Sequence, residues 1–373
     1  MYINKNTFKF DKIDIRYRVS TIFRPITDSS LIMMLYKTST WKIFAAFFMV
    51  AHLFFQTTHA KTVTLLNVSY DPTRAFYHAY NQAFEKYWKA KTGDDVVVYE
   101  SHGPSGKQAR SVIDGMQGDV VTLALSGDID ALNKYKELID PNWQSRLPYH
   151  SCPYYSTIVF LVRKGNPKNI HDWDDLIKPG VQVMTPNPKT SGVARWNFLA
   201  AWAYALEKYG SEDKAYDFVK QIYQHAPILD TGARSSSLSF IQRGLGDVLI
   251  SWENEAYMAL NESKPGEYEL ITPSVSILAE PPVAVVDSVV DKKGTRAVAE
   301  GYLNYLYSDV GQTLAGEYYY RPSNPQIAEK FKDKFHALKL IPIDKVFKGW
   351  KQINNKFFKD NKIFDKIMSE INR

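Results

Sequence analysis

Residues 63–87, VTLLNVSYDPTRAFYHAYNQAFEKY, contain the unit from which the fold of this chain is predicted. The first part, 63–68, is an apolar run typical of a buried strand. In the polar turn that follows, Asp71 suits the N-cap of a helix and Pro72 suits its first position. Aromatic residues then recur at helical spacing as far as Tyr87. The stretch therefore predicts a strand, a tight turn and a helix.

The same unit recurs along the rest of the chain. Further apolar runs predict strands at 96–99, 119–125, 156–163, 181–185, 247–252 and 283–286. Helical spacing follows most of them, and the C-terminal third is predicted to be mainly helical. Alternating strands and helices favour an α/β fold whose functional edge lies at the carboxyl ends of the strands. Because there is no obvious linker, two domains would be joined by strands that cross between them.

Length and composition exclude several classes of protein. The chain has 373 residues, 45% hydrophobic and 23% charged, which is ordinary globular composition and excludes disorder, collagen-like repeats and coiled coil. The length predicts two or three domains. The single cysteine, Cys152, excludes an intramolecular disulfide and cysteine clusters for zinc or iron–sulfur groups. Most of the formal charge of +6 arises in residues 1–60, so the remainder lacks the basic excess of a nucleic-acid-binding protein.

A secretion signal is predicted near the N-terminus. Residues 43–55, IFAAFFMVAHLFF, are mostly apolar but shorter than the roughly 20 residues that a membrane span needs. A small-residue pattern that ends at Ala60 follows, which predicts a signal peptide cleaved after Ala60, with an uncleaved anchor as the alternative. Met33 or Met34 would give a leader of conventional length, so the true start codon stays open between these positions and Met1.

Turns that begin helices suggest an anion site. Small residues occupy four predicted strand-to-helix turns, at Asp71-Pro72, Ser105-Gly106, Ser191-Gly192 and Gly232-Ala233. A helix N-terminus presents unpaired N–H groups and the positive end of the helix dipole, and small residues let an anion approach the backbone. Each turn alone is explained by capping. Four of them, two in each half of the chain, predict a shared anion cleft.

Nucleotide-binding and metal-binding alternatives are weaker. Residues 103–107 resemble the end of a phosphate-binding loop, but Ser101 replaces its first glycine and Gln108 its final Ser or Thr. Lys107 also replaces the second glycine of a nucleophile elbow. No HExxH motif is present, and one histidine beside Cys152 is too sparse for a metal site. No metal or cofactor is therefore expected.

Charged residues near the turns are expected to form ion pairs. Glu253 and Glu255 follow a predicted strand and are expected to pair with Arg234 or lysines rather than act as acid and base. The basic residues beside the turns are expected to neutralise carboxylates such as Asp71 and Glu253 rather than to contact the anion. These basic residues are Arg74, Lys107, Arg195 and Arg234.

Several longer segments resemble the periplasmic sulfate-binding proteins that serve sulfate-uptake ABC transporters. The resemblance runs from Lys61 to about Phe364. It is carried by LLNVSYDPTR (65–74), SHGPSGKQA (101–109), DVVTLAL (119–125), STIVFLVRKGNPKNIHDWDDLIKPG (156–180), TPNPKTSGVARWN (185–197), GDVLISWENEA (246–256) and ILAEPPVAVVD (277–287). Together these segments are far more specific than a single short motif.

The resemblance implies the fold and its division. It implies an α/β, two-lobed periplasmic binding protein of type II, in which each lobe is a mixed sheet flanked by helices and the ligand cleft lies between the lobes. Lobe 1 would contain 61–155 and about 275–345, and lobe 2 would contain 156–274. Residues 1–60 would be the leader, and 346–373 a helical tail that packs on a lobe.

The resemblance also implies a ligand site. In that family backbone N–H groups, a serine hydroxyl and an indole N–H hold the oxyanion. The ligands implied for this chain are Ser105, Ser191, Gly192, Val193, Ala233 and Trp252. Asp71 and Arg234 are expected near the site. The sequence departs from the family at Val193 and Pro104, where many relatives have glycine, so the cleft is expected to be narrower and stiffer there.

The function implied is transport without catalysis. The protein would capture sulfate in the periplasm as a monomer, close by hinge motion, and be recognised by the membrane subunits of an ABC importer, with no nucleic-acid partner. Thiosulfate, molybdate and tungstate remain alternative ligands. Trp252 favours sulfate, since thiosulfate-binding relatives tend to have Phe there. The rival of another class is a secreted hydrolase that uses Ser105 or Ser191 as nucleophile with His102 as base.

Overall fold

The computed structural model describes residues 61–372. The predicted signal peptide at 43–55, its cleavage point after Ala60 and the alternative start positions lie outside these residues. None of the helices within 61–372 has both the length and the apolar character to span a membrane.

Strands and helices alternate through most of the described chain. The strands are β1 (Thr62–Tyr70), β2 (Asp95–Gly103), β3 (Val120–Thr122), β4 (Tyr154–Tyr155), β5 (Ile158–Arg163), β6 (Val183–Pro186), β7 (Leu229–Asp230), β8 (Val248–Trp252), β9 (Tyr268–Ile271), β10 (Val275–Ile277), β11 (Val283–Val285), β12 (Arg321–Pro322) and β13 (Lys339–Ile341). The main helices are α1 (Arg74–Thr92), α2 (Ser105–Ile113), α3 (Ser126–Lys136), α4 (Gly192–Tyr209), α5 (Glu212–Gln224), α6 (Ala233–Ile241), α7 (Glu253–Glu262), α8 (Asp287–Lys293), α9 (Arg296–Tyr305), α10 (Asp309–Glu317), α11 (Pro325–Glu329), α12 (Ile343–Phe347), α13 (Trp350–Ile353) and α14 (Ile363–Ile371). The predicted α/β fold is confirmed.

The first sheet has the strand order β11–β3–β1–β2. β1 runs parallel to both β2 and β3, whereas β11 runs antiparallel to β3. Leu65, Val68, Val120 and Val121 on its central strands are fully buried, because helices cover both faces of a sheet of this kind and make its strands continuous apolar runs.

The second sheet has the strand order β7–β6–β8–β5–β9. β6 runs parallel to β7 and β8, while β5 runs antiparallel to β8 and β9, so the sheet is mixed. The chain passes from the first sheet to the second before β5 and returns before β11. The two passages pair with each other through reciprocal backbone hydrogen bonds between Ser156 and Ala279. This pairing is the crossing of strands that the absence of a linker predicts.

The first helix begins two residues later than predicted, at Arg74 rather than Pro72. Asp71 is not its N-cap: Asp71–Thr73 forms a 3₁₀ turn whose N-cap is Tyr70, and no side chain caps it. The Asp71 carboxylate instead lies 3.7 Å from the Arg74 guanidinium, so it is engaged with a cation rather than with backbone N–H groups. The helix then ends, as predicted, at Gly93, which takes the left-handed conformation with φ of 82°.

The last thirty residues contribute a row of buried aromatic side chains. Phe357 contacts Trp202 of α4 with ring centroids 4.9 Å apart, and Phe364 contacts Tyr223 of α5 at 5.4 Å. These contacts bury the apolar face of α14, so the segment is packed against helices that follow strands of the second sheet.

Candidate anion-binding site

Turns that follow strands of the two sheets meet at one place. A Cβ added to Gly192 would lie 3.0 Å from Cβ of Ser105, and one added to Gly232 would lie 2.9 Å from Cγ of Pro104. The second distance is shorter than side chains tolerate and the first is at the limit, so the backbones lie too close together for a larger residue to fit without movement. Ser105 and Pro104 follow β2 of the first sheet, whereas Gly192 and Gly232 follow β6 and β7 of the second. The structure therefore brings the predicted residues from both halves of the chain together.

Three helices begin at this meeting point. α2 begins at Ser105, α4 at Gly192 and α6 at Ala233. The turns before α4 and α6 are tied together, because the Thr190 hydroxyl donates to the Thr231 main-chain oxygen at 2.8 Å. The first N–H groups of a helix have no carbonyl partner within the helix, and they lie at the positive end of its dipole. The meeting point is therefore rich in hydrogen-bond donors and in positive potential.

Ser191 is the N-cap of α4 and is almost fully buried. Its hydroxyl oxygen accepts the Ala194 backbone N–H at 3.3 Å. That bond uses the oxygen as an acceptor and leaves the hydroxyl proton to be donated elsewhere. Ser191 therefore can both cap the helix and donate to an anion at its start.

Trp252 is the last residue of β8 and is fully buried. Its indole N–H has no hydrogen-bond partner among residues 61–372. The ring packs edge-on against Tyr70, which ends β1 of the first sheet, with centroids 5.5 Å apart. Buried indole N–H groups normally find an acceptor, and indole can only donate. The geometry thus calls for an acceptor that does not come from the described chain.

Ser105 offers its backbone rather than its hydroxyl. The hydroxyl donates to Asp128 Oδ2 at 2.6 Å, and its oxygen accepts the Ala124 N–H at 3.0 Å. Burial raises the pKa of the Asp128 carboxyl, against the opposing effect of Arg195, whose guanidinium lies 3.8 Å away. The pattern analysis missed Asp128 and Ala124, because they lie about twenty residues beyond Ser105 and only the folded chain brings them to it.

The two residues expected near the site border it on one side. Asp71 Oδ2 lies 3.0 Å from the position that a Cβ on Gly232 would take. Burial raises the pKa of the Asp71 carboxyl despite the neighbouring Arg74. Arg234 is half-exposed, with one guanidinium nitrogen 3.9 Å from Glu262. Asp71 thus lies at the site, whereas Arg234 points toward the surface beside it.

The predicted pairing of Glu253 with Arg234 or a lysine is wrong. Glu253 is buried and forms two hydrogen bonds with Arg321, at 2.7 and 2.8 Å. Arg321 lies on β12, which no sequence pattern near Glu253 could reveal. Arg234 instead acts on Glu255, lowering a pKa that burial raises to about 7. Two other expected pairings of a basic residue with a carboxylate are present. Arg74 lies beside Asp71, and Arg195 lies beside Asp128.

Val193 and the histidine of the hydrolase alternative both have structural explanations. Val193 is 4% exposed and belongs to the main hydrophobic cluster, so packing accounts for its side chain while its N–H stays at the start of α4. His102 Nε2 lies 2.7 Å from Glu100 Oε2. The Ser105 hydroxyl donates to Asp128 and not to His102, so the Ser105–His102 contact of the hydrolase alternative is not formed in the described chain. No group of three or more potential metal ligands occurs within 61–372.

Comparison with known proteins gives consistent matches over the described chain. Residues 73–321 match the family described as "Bacterial extracellular solute-binding protein". The chain is 58% identical to the sulfate-binding protein of Salmonella typhimurium over 309 residues, which cover 83% of this chain and 94% of that protein. It is 52% identical to the thiosulfate-binding protein of Pseudomonas aeruginosa over 305 residues, covering 82% and 92%. The solved structure of the sulfate-binding protein SubI from Mycobacterium tuberculosis matches with a TM-score of 0.72 at 32% identity, covering 80% of this chain and 100% of that one.

Proposed function

Because this chain belongs to the bacterial extracellular solute-binding proteins, we propose that it is a periplasmic receptor that captures sulfate and delivers it to the membrane subunits of an ABC importer. In this proposal the protein binds and releases its ligand unchanged and is not an enzyme. It acts as a monomer after its signal peptide has been cleaved following Ala60. Delivery depends on a closed form that the membrane subunits recognise, so closure on the ligand is part of the function.

The observation that carries the proposal is the buried indole of Trp252. Its N–H has no acceptor within the described chain, and its ring contacts Tyr70 at the end of β1 and Trp196 near the start of α4. Sulfate is fully ionised at neutral pH and only accepts hydrogen bonds, so its ideal site contains donors and no acceptor. A dianion at this place would satisfy the indole N–H and the unpaired N–H groups of the helix starts together.

The proposed ligand set contains one side-chain hydroxyl, one indole and the backbone of the helix starts. Ser191 donates its hydroxyl proton, and Trp252 donates its indole N–H. The backbone N–H groups come from the remaining members of the set, which are Ser105, Gly192, Val193 and Ala233. Each helix dipole contributes about 0.3–2 kcal/mol, so several together offset much of the charge without a contacting cation. Asp71 and Arg234 lie beside the site and tune its charge.

Selection against phosphate follows from the same chemistry. Phosphate keeps a proton near neutral pH, and that proton would need an acceptor that the proposed set of donors lacks. Leaving a buried polar group unpaired in a site of this type reduces affinity by about 10⁴–10⁵. Selectivity for sulfate over phosphate would thus arise because the site contains donors and no acceptor for a ligand proton, and not from the size of the anion.

We propose that the cleft lies between two lobes, each built on one of the two sheets. We propose lobe 1 as 61–155 with about 275–345 and lobe 2 as 156–274, with the tail 346–373 packed on one of them. We propose the two passages of the chain, which pair at Ser156 and Ala279, as the hinge between the lobes. Thiosulfate is the second candidate ligand, because a thiosulfate-binding protein is 52% identical to this chain.

Isothermal titration calorimetry on the purified protein, freed of bound anion by unfolding and refolding, tests the proposal. We expect one-to-one binding of sulfate and no heat with phosphate at neutral pH. A parallel titration with thiosulfate ranks the two candidates. If neither sulfate nor thiosulfate produces heat while the protein is folded, the proposed function is wrong.

A further inference from the structure

A second buried indole lies beside Trp252, and its N–H is already used. Trp196, in α4, is fully buried and contacts Trp252 edge to face with ring centroids 6.5 Å apart. Its indole N–H donates to the main-chain oxygen of Ala124 at 2.8 Å. Ala124 follows β3 of the first sheet, whereas α4 follows β6 of the second sheet. This hydrogen bond therefore joins the parts of the protein that are built on the two sheets.

The acceptor belongs to the wall of the anion site on the first-sheet side. The Ala124 N–H donates to Ser105 Oγ at 3.0 Å, and a Cβ on Gly192 would lie 2.9 Å from Ala124 Cβ. If the two parts moved away from each other, Trp196 would lose Ala124, while Ala124 would keep Ser105. The contact is thus made only when the start of α4 is seated against the first-sheet side.

The C-terminal segment touches Trp196 and also α3, the helix that follows Ala124. Trp350, at the start of α13, packs edge-on against Trp196 with centroids 4.9 Å apart and an interplanar angle of 83°. On the other side, a Cβ on Gly127 of α3 would lie 3.6 Å from Trp350 Cβ and 2.9 Å from Asn354 Nδ2. The segment is anchored to α4 by Phe357, so it reaches α3 from the second-sheet side.

We propose that Trp196 is a closure residue, a term used here for a side chain that bonds across the cleft only when the lobes have closed on the anion. Trp350 holds the Trp196 ring in the donating position, so the C-terminal segment contributes to ligand retention. Trp196 is distinct from the proposed ligands, because its only N–H is donated to protein. The inference rests on the proposed function, since it needs a ligand around which the lobes close.

Trp196→Phe is the direct test, because Phe keeps the ring contacts and removes the N–H. The variant leaves the Ala124 oxygen unpaired and buried in the closed form, which is expected to raise the sulfate Kd about 5- to 150-fold. Stopped-flow kinetics should place most of the change in the dissociation rate. Trp143→Phe is the matched control, since it removes a buried indole N–H that donates to Asp130 Oδ1 at 2.9 Å, a bond between two residues on the first-sheet side that does not cross the cleft. The control is expected to keep the wild-type Kd.

Trp350→Leu provides an independent variant outside α4. Like Trp196→Phe, it should speed sulfate dissociation. The effects of the two substitutions should be less than additive, because both weaken the same contact. The inference is overturned if Trp196→Phe keeps the wild-type Kd and dissociation rate, or if Trp143→Phe weakens binding equally. Should Trp196→Phe fail to fold, an unchanged dissociation rate in Trp350→Leu overturns it. An unsubstituted protein that is folded but binds no sulfate would instead overturn the proposed function and this inference with it.

Discussion

Replacing Trp252 by phenylalanine separates a ligand contact from a packing role. Phe retains an aromatic ring against Tyr70, whose ring centroid lies 5.5 Å from that of the indole, and removes only the N–H and part of the ring. In the proposed complex that N–H donates to a dianion, and a hydrogen bond to a charged group contributes about 1.5–3 kcal/mol. The sulfate Kd should therefore rise about 12- to 160-fold.

The ligand-free protein should respond in the opposite sense. That N–H bonds no acceptor within residues 61–372, so its removal from the ligand-free protein leaves no buried acceptor unpaired. The free energy of unfolding without sulfate should stay constant or rise slightly, whereas a residue important only for packing would lower it. Calorimetry gives the Kd, and urea unfolding without sulfate gives the stability.

Trp88→Phe is the matched control for this experiment. Trp88 in α1 has the other indole N–H that is buried and unpartnered in the described part of the chain, and it lies outside the site. Its replacement should leave the sulfate Kd unchanged. The reasoning fails if Trp252→Phe binds sulfate as tightly as the wild type, or if both variants lose affinity equally.

The other predictions concern close approach, an ion pair and pH. Gly192→Ala should weaken sulfate binding at least tenfold by calorimetry, because its Cβ would collide with the opposite wall at 2.9 Å, while Gly106→Ala, with 3.7 Å to its nearest neighbour, should bind normally. Arg321→Met should lower the free energy of urea unfolding by about 3–5 kcal/mol, since it leaves Glu253 charged and buried; a loss below 1 kcal/mol would contradict this. Burial raises the pKa of Glu255 to about 7 from an ordinary value of 4.5, so the folded state binds more protons than the unfolded state between these values. The contribution of Glu255 to the free energy of unfolding should therefore be greatest below pH 4.5 and should fall as the pH rises to about 7. Glu255→Gln should flatten this pH dependence of the free energy of unfolding in urea titrations. Equal slopes in the variant and the wild type would refute the prediction.

Much of the site could be predicted because its donors belong to local structure. A helix start after a strand is encoded by neighbouring residues, so Ser191 as a small N-cap and Ala233 as a helix start follow from short stretches of chain. Asp71 shows the limit of this reasoning. The turn around Pro72 is local and was predicted, but the Asp71 carboxylate lies beside the Arg74 guanidinium instead of capping, and the helix begins at Arg74.

Partners distant in the sequence could not be predicted by pattern. Glu253 pairs with Arg321, 68 residues away, because β12 is brought beside the start of α7 by the fold of the C-terminal third. The Ser105 hydroxyl likewise donates its proton to Asp128, so the donor that Ser105 can present to an anion is its backbone N–H. Both outcomes depend on which elements pack together, and the spacing of residues does not report that.

The sequence by itself determined the α/β alternation, the helix starts and the kinds of donor at their turns, because each depends on interactions within a few residues. Only the tertiary structure decided which turns face each other, since this depends on the strand orders of two sheets and on the paired passages at Ser156 and Ala279. It also decided that the Trp252 indole N–H is buried without a partner within residues 61–372, while Trp196 donates its own to Ala124 on the first-sheet side. The two indoles have the same chemistry, and only their positions relative to the acceptors of the other half distinguish them.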